Sequence, residues 1–353
     1  MNALVTGAAG FLGRHVVAAL LGRGHRVRVL IRPATRIDGL PWAGRVDVFR
    51  ADLRAPRPLD AAFEDMDVLV HLAARVGGSD TAQMADTVVG TERLLEAMAR
   101  SATRRLVLAS SFSVYDWDAV RGGTLTEESP LAAADLYRRD GYTIAKTWQE
   151  RVARRMSREH GWDLTVLRPG FIWGRDHAEF AGLGQKLGRW YLVIAPAARP
   201  PLTHVENCAD AFAEAVESPR AAGETFNVVD DHGLNSWRYL GEYRRRTGTR
   251  LRRIPVPYAA WLTGTLLASA VSRRLFGEKA KLPGLFTPCR FRARFRPLRF
   301  DTRKLRDVLG WSPPLDLDRC LRRTYEASDV SPALLPHAVA APAEIAQDPS
   351  IVH

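Results

Sequence analysis

The segment Thr6-Gly7-Ala8-Ala9-Gly10-Phe11-Leu12-Gly13 constrains this chain more than any other feature. It follows a short apolar run, Ala3–Thr6, and opens a stretch whose apolar residues recur at helical spacing. Gly7 permits a tight turn, Gly10 lets the backbone approach a pyrophosphate, and Gly13 lets helix and strand pack closely. The free amides and positive helix end favour a phosphate at that point. A glycine triplet alone is a weak signal, but strand before and helix after supply the context it requires. The reading is a dinucleotide turn.

The same alternation continues for two-thirds of the chain. Candidate strands are Ala3–Thr6, Arg26–Ile31, Val46–Arg50, Val68–Leu72, Leu106–Ser110 and Leu164–Leu167, with helical segments at Gly13–Leu21, Leu59–Phe63, Thr87–Arg100 and Tyr142–His160. That pattern predicts an α/β fold: a Rossmann-type, doubly wound parallel sheet with a smaller C-terminal substrate-binding domain. We assign 1–169 to the nucleotide-binding domain, with returns near 201–232 where a helix (Glu206–Glu217) and a strand (Phe226–Val229) rejoin the sheet. The substrate domain takes 170–200 and 233–328, and 329–353 reads as a loose tail rich in Ala and Pro.

The end of the second strand bears on the cofactor. An acid there holds a ribose 2′-hydroxyl, as NAD requires, whereas Arg suits the 2′-phosphate of NADP. The chain reads Ile31-Arg32-Pro33-Ala34-Thr35-Arg36, with no acid before Asp38, so Arg32 and Arg36 favour NADP(H) over NAD(H). Downstream, Tyr142 and Lys146 are four residues apart on one helix face. A phenol is a poor base near neutral pH, but a nearby cation favours its ionised form, and such a pair can exchange a proton with an alcohol while a nicotinamide exchanges hydride. The buried-strand run Leu106-Val107-Leu108-Ala109 ends in Ser110-Ser111, at the sheet edge where a hydroxyl can hold a substrate oxygen.

Taken together these motifs resemble the extended short-chain dehydrogenases/reductases, specifically the NAD(P)-dependent epimerase/dehydratase group, over nearly everything up to about residue 325. The resemblance rests on Thr6 to Gly13, Asp52-Leu53, His71-Leu72-Ala73-Ala74, Ser110 to Tyr115, Tyr142 to Lys146, Leu167-Arg168-Pro169-Gly170, His204-Val205-Glu206-Asn207 and Leu309-Gly310-Trp311. It implies that Ser111, Tyr142 and Lys146 are catalytic. It implies cofactor contacts from Gly7, Gly10, Phe11, Leu12, Gly13, Asp52, Leu53, Leu72, Ala73, Ala74, Tyr142, Lys146, Pro169, Gly170 and Ile172. Thr87 stands where the group often has Asn, which alters the expected packing behind the site.

The resemblance leaves the substrate open. Arg199, Arg296 and Arg299 are candidates to grip a nucleotide-sugar diphosphate, and an epimerase, dehydratase or reductase of nucleotide sugars ranks slightly first. Trp173, Trp190, Tyr191 and the uncharged 254–272 run point instead to a steroid-dehydrogenase-like or flavonol-reductase-like enzyme acting on an apolar alcohol or ketone. A cofactor-binding regulator without turnover is a third reading, disfavoured because a sensor needs no acid/base pair. The 254–272 run reads as a helix with one apolar stripe, buried in the protein or covering the substrate, less well as an interfacial helix, and least well as a membrane span. The net charge of +12 is carried almost wholly by scattered arginines, only five of the basic residues being lysine, so nucleic acid is not an expected partner. Cys208, Cys289 and Cys320 show no metal-ligand spacing. The expectation is therefore a cytoplasmic enzyme with a small-molecule substrate and no metal. A homodimer is compatible with the sequence, and peripheral membrane contact is not favoured.

Overall fold

The structure, a computed structural model, describes residues 1–133, 136–177, 181–276 and 286–326. The tail expected at 329–353 lies outside these residues. Elements run in the order β1 (Asn2–Thr6), α1 (Phe11–Gly22), β2 (Arg26–Ile31), β3 (Asp47–Arg50), β4 (Val68–His71), α2 (Asp80–Met84), α3 (Gly90–Arg100) and β5 (Arg105–Ala109). They continue with β6 (Thr124–Leu125), α4 (Gly141–His160), β7 (Asp163–Pro169), β8 (Phe171–Trp173), β9 (Gly184–Leu187), β10 (Trp190–Ile194), β11 (Leu202–His204), α5 (Val205–Glu217) and β12 (Thr225–Val228). The C-terminal part holds α6 (Ser236–Thr247), β13 (Arg252–Val256), α7 (Tyr258–Phe276), α8 (Pro288–Phe295), β14 (Arg299–Phe300), α9 (Arg303–Leu309) and α10 (Leu317–Tyr325).

Seven strands form one parallel sheet in the order β12-β7-β5-β4-β1-β2-β3. Near-continuous apolar strands such as Leu106-Val107-Leu108 are what a sheet covered on both faces demands. One face is covered by α1 and α5 through Val16, Leu20, Phe212 and Val216. The other is covered by α3 and α4 through Leu94, Leu95, Val152 and Met156. Strand order reverses between β1 and β4, so the loops after them diverge and open a crevice, and the glycine turn stands at its mouth.

Apart from this sheet, β9, β10 and β13 form a small sheet in which Leu192 lies opposite Ile254. Three expectations are corrected here. The uncharged run from 254 begins as a strand and becomes helical only at Tyr258, because Pro255 and Pro257 suit an extended edge and not a helix interior. The apolar stripe of α7 is turned into the protein only at its start, where Leu262 packs on the core; beyond it Thr265 and Ser272 are the buried positions, while Leu266, Leu267, Val271 and Leu275 are exposed. Finally, Trp173, Trp190 and Tyr191 do not face a substrate space. Trp173 is fully buried against His204 and Tyr239, Tyr191 joins the same core, and Trp190 lies under the guanidiniums of Arg189 and Arg252.

Candidate active site

The crevice widens into a cavity of about 1470 Å³. That exceeds the roughly 300–1,000 Å³ of ordinary small-molecule pockets and leaves room for a dinucleotide together with a substrate. Its floor is the glycine turn. Gly7 has a φ of 71°, and a Cβ at Gly13 would stand 2.0 Å from the Gly7 carbonyl oxygen. Only glycines therefore bring the first turn of α1 against the end of β1, leaving a cradle at the helix N-terminus suited to a pyrophosphate.

The structure brings together nearly all the residues singled out above. Gly7, Gly10, Phe11, Leu12, Gly13, Arg32, Asp52, Leu53, Leu72, Ala73, Ala74, Ser111, Tyr142, Lys146, Pro169, Gly170 and Ile172 all line this one cavity. Arg36 is the exception: it is exposed and stands off the cavity wall. Arg32 instead meets Asp86 at 2.9 Å, where Arg54 (3.0 Å) and Arg75 (2.9 Å) also converge. Burial pushes the Asp86 carboxyl up, but these guanidiniums outweigh it and hold it below its usual range. Asp52 is held down to about 2 by paired hydrogen bonds from Arg54. Three guanidiniums thus share two carboxylates at this end of the cavity. Arg54, Arg75 and Asp86 carry no local sequence signal, since they meet only through folding.

Tyr142 sits in the first turn of α4. Asp140 caps that helix by accepting from the Thr143 amide at 3.0 Å, and Gly141 packs so closely on α2 that a Cβ would meet the Asp80 carboxylate at 2.3 Å. Burial raises the pKa of the phenol, and a hydrogen bond with the Ser111 hydroxyl opposes that rise. The neighbouring serines are separated by orientation: Ser110 donates to Glu150 at 2.6 Å, leaving Ser111 for the cavity. Lys146 is almost fully buried, and its ammonium donates to the Ala109 carbonyl and to Gln149 Oε1. Burial lowers its pKa to about 7, although Glu150 one turn away works against the drop.

Behind Lys146 lies a polar network not anticipated from sequence. Gln149 Nε2 reaches the Ala73 carbonyl (3.0 Å) and Thr91 Oγ1 (3.0 Å), and His71 bridges Thr91 (2.8 Å) and Thr6 (2.6 Å). His71 is kept neutral, its pKa lowered to about 3 by burial and by Lys146. Thr87, standing where Asn was expected, accepts from the Arg75 amide at 3.0 Å in a single π-turn (Ala85–Val89) between α2 and α3. The i, i+3 spacing of Lys146 and Gln149 was the available sequence signal.

The far end of the cavity is walled by Trp117, Phe171, Leu187, Leu192, Trp261, Phe286 and Ala293. The proposed diphosphate arginines are not on this wall. Arg199 and Arg299 are exposed, and Arg296 donates to the carbonyls of Trp117 and Val120. Arg290 and Arg294, on α8, do line it. Arg290 is engaged by the Arg138 and Arg139 carbonyls, whereas the buried Nε of Arg294 has no hydrogen-bond partner among the described residues. Away from the cavity, Asp230, His232 and Cys320 cluster at metal-ligand range. There Asp230 already accepts from Thr203, the His204 amide, Asn207 and His232, which ties β11 and α5 to the loop after β12.

Comparison with known proteins agrees with this architecture. The model of the NAD dependent epimerase/dehydratase family matches residues 3–228. The chain is 27% identical over 350 residues to 3beta-hydroxysteroid-dehydrogenase/decarboxylase isoform 2 of Arabidopsis thaliana, covering 92% of this chain and 61% of that relative's length. It is 30% identical over 270 residues to tetraketide alpha-pyrone reductase 2 of the same plant, covering 69% of this chain and 81% of the relative. Among solved structures, UDP-glucuronic acid 4-epimerase from Bacillus cereus, in complex with UDP-glucuronic acid and NAD, shares the fold with a TM-score of 0.68 at 20% identity, over 92% of this chain and 98% of that one. The glycine cradle, the sheet reversal above it and the match over residues 3–228 lead to one conclusion: this chain belongs to the NAD dependent epimerase/dehydratase family, within the NAD(P)-dependent extended short-chain dehydrogenases/reductases.

Proposed function

We propose that the protein transfers a hydride at a secondary alcohol or ketone of a large apolar substrate. The observation that carries this reading is the aromatic and aliphatic wall of the cavity that Ser111 and Tyr142 also line, formed by Trp117, Phe171, Leu192, Trp261 and Phe286. Its relatives include a steroid dehydrogenase/decarboxylase and a pyrone reductase. The bound nicotinamide supplies the hydride acceptor or donor. Gly7, Gly10 and Gly13 would hold its pyrophosphate at the start of α1, and Lys146 would hold the nicotinamide ribose. Tyr142 gives its proton to a ketone oxygen or takes one from an alcohol, and Ser111 donates a hydrogen bond to the same oxygen. Gln149 and the Ala109 carbonyl hold the Lys146 ammonium in place.

One observation favours a second reading. Arg294 lines the cavity with its buried Nε unpaired among the described residues, which suits the diphosphate of a nucleotide sugar. Turnover of NADPH and NADH against hydroxysteroids, apolar ketones and a set of UDP-sugars separates the two. We expect turnover of the apolar compounds. Conversion of a UDP-sugar with no action on any apolar alcohol or ketone would replace the first reading by the second.

For the cofactor we propose NADP(H). Arg32, Arg54 and Arg75 outnumber the two carboxylates they share, leaving positive charge where a 2′-phosphate would lie. Arg32→Ala should weaken NADPH binding by roughly ten- to a hundredfold, from the about 1.5–3 kcal/mol of a charge-assisted hydrogen bond, and leave NADH nearly unchanged. Arg36→Ala should alter neither, because Arg36 stands off the cavity. Fluorescence titration with both cofactors checks this, and equal losses for the two in Arg32→Ala would count against NADP(H).

A further inference from the structure

We infer that the outer face of α7 docks the protein on an anionic lipid surface. A helix packed on a soluble domain turns its apolar side inward and its polar side to water. In α7 the first turns follow that rule, Tyr258, Trp261 and Leu262 packing on Phe291 and Phe295, but beyond them the order is reversed. The buried positions include Thr265 and Ser272, and Thr265 satisfies its hydroxyl on the Trp261 carbonyl at 2.9 Å. From Leu266 onward the large aliphatic residues point outward: Leu266 is 42% exposed, Leu267 63%, Val271 56% and Leu275 68%. Their spacing puts them on one side of the helix, a contiguous patch of the kind that marks an interaction surface.

Charge identifies the occupant. α7 carries no acidic residue, and its last turn ends in exposed Arg273 and Arg274, on a chain whose net charge is +12. An apolar face bordered by arginines fits acyl chains with anionic headgroups above them. The position fits as well. The first turn of α7 supplies Trp261 to the cavity wall, stacked with Phe286 at 5.9 Å, and Phe286 is itself 40% exposed. The helix that presents the patch therefore also borders the substrate space. No described helix is long and apolar enough to cross a membrane, so the contact is with one surface of the bilayer.

The test is co-sedimentation of the full chain with phosphatidylcholine vesicles, with and without phosphatidylglycerol, at low and high salt. We expect binding to the anionic vesicles, weakened by salt, and lowered by roughly tenfold or more in a Leu267→Glu/Val271→Glu double variant. These side chains are exposed and off the cavity, so the variant should fold and bind NAD(P)H as the parent does, which fluorescence titration verifies. Absence of vesicle binding overturns the inference, as does binding that the double variant retains in full. So does a dimer, seen by light scattering, that the double variant dissociates while the parent ignores vesicles. None of these readouts requires a substrate, so failure here is distinguishable from failure of the proposed chemistry.

Discussion

Tyr142→Phe should lower kcat by about two to four orders of magnitude, the range a positioned general acid or base contributes. Cofactor affinity should stay nearly unchanged, because the phenol faces Ser111 and the substrate space while the cradle for the phosphates lies at Gly7 to Gly13. Lys146→Met should differ in kind, lowering both turnover and cofactor affinity, since Lys146 is assigned to the ribose. The pH dependence separates the two groups further. Lys146 carries its charge below about 7 and loses it above, burial having lowered its pKa. The kcat/KM profile, which reports the free enzyme, should therefore fall through a limb near pH 7 that Lys146→Met lacks. Steady-state kinetics with an accepted substrate measures all of this. Near-normal turnover by Tyr142→Phe sinks the acid/base assignment.

Arg168→Met should destabilise the fold by about 3–5 kcal/mol, the usual result of removing one partner of a buried ion pair. Arg168 and Glu150 are both almost fully buried and meet at 2.5 Å. Arg168 also donates to the Tyr115 hydroxyl at 2.9 Å, and Tyr115 in turn donates to Asn227 at 2.7 Å. Glu150 accepts from Ser110, next to Ser111, so the knot holds the end of β5 on which the site depends. The sign with pH follows. Burial alone raises the Glu150 carboxyl, but Arg168 overrides it and the pKa falls to about 2 from an ordinary 4.5. A depressed carboxylate contributes stability that is fully present above pH 4.5 and is lost as pH falls towards 2. In Arg168→Met the burial effect remains with only Arg154 and the Ser110 hydrogen bond to oppose it, so the deficit against the parent should be larger at pH 7 than at pH 4. Urea unfolding at the two values reads this directly. A loss under about 1 kcal/mol at pH 7 would show that the pair contributes little.

The glycine turn, the alternation of strand and helix, and the Tyr142–Lys146 spacing were legible because each is a local pattern. A glycine is required by its own φ or by a neighbour a few residues away, an apolar strand reports burial on both faces, and residues four apart share a helix face whatever packs on it. These suffice for the sheet, its reversal and the floor of the cavity. Features made by residues far apart in the chain left no such trace. Arg54 and Arg75 join Arg32 only because the loops after β3 and β4 close on Asp86, so position along the chain pointed to Arg36, which folding leaves in water. Ser110 and Ser111 are equivalent as letters, and the buried pair Glu150–Arg168 separates them by engaging the first. The apolar residues of α7 announce that the helix has two unlike sides. Periodicity does not say which side meets the protein, because spacing fixes directions around the helix axis and carries nothing about what lies in each direction. Packing resolves that choice: α8 takes Tyr258, Trp261 and Leu262, Thr265 is buried further along, and Leu267, Val271 and Leu275 are left facing outward.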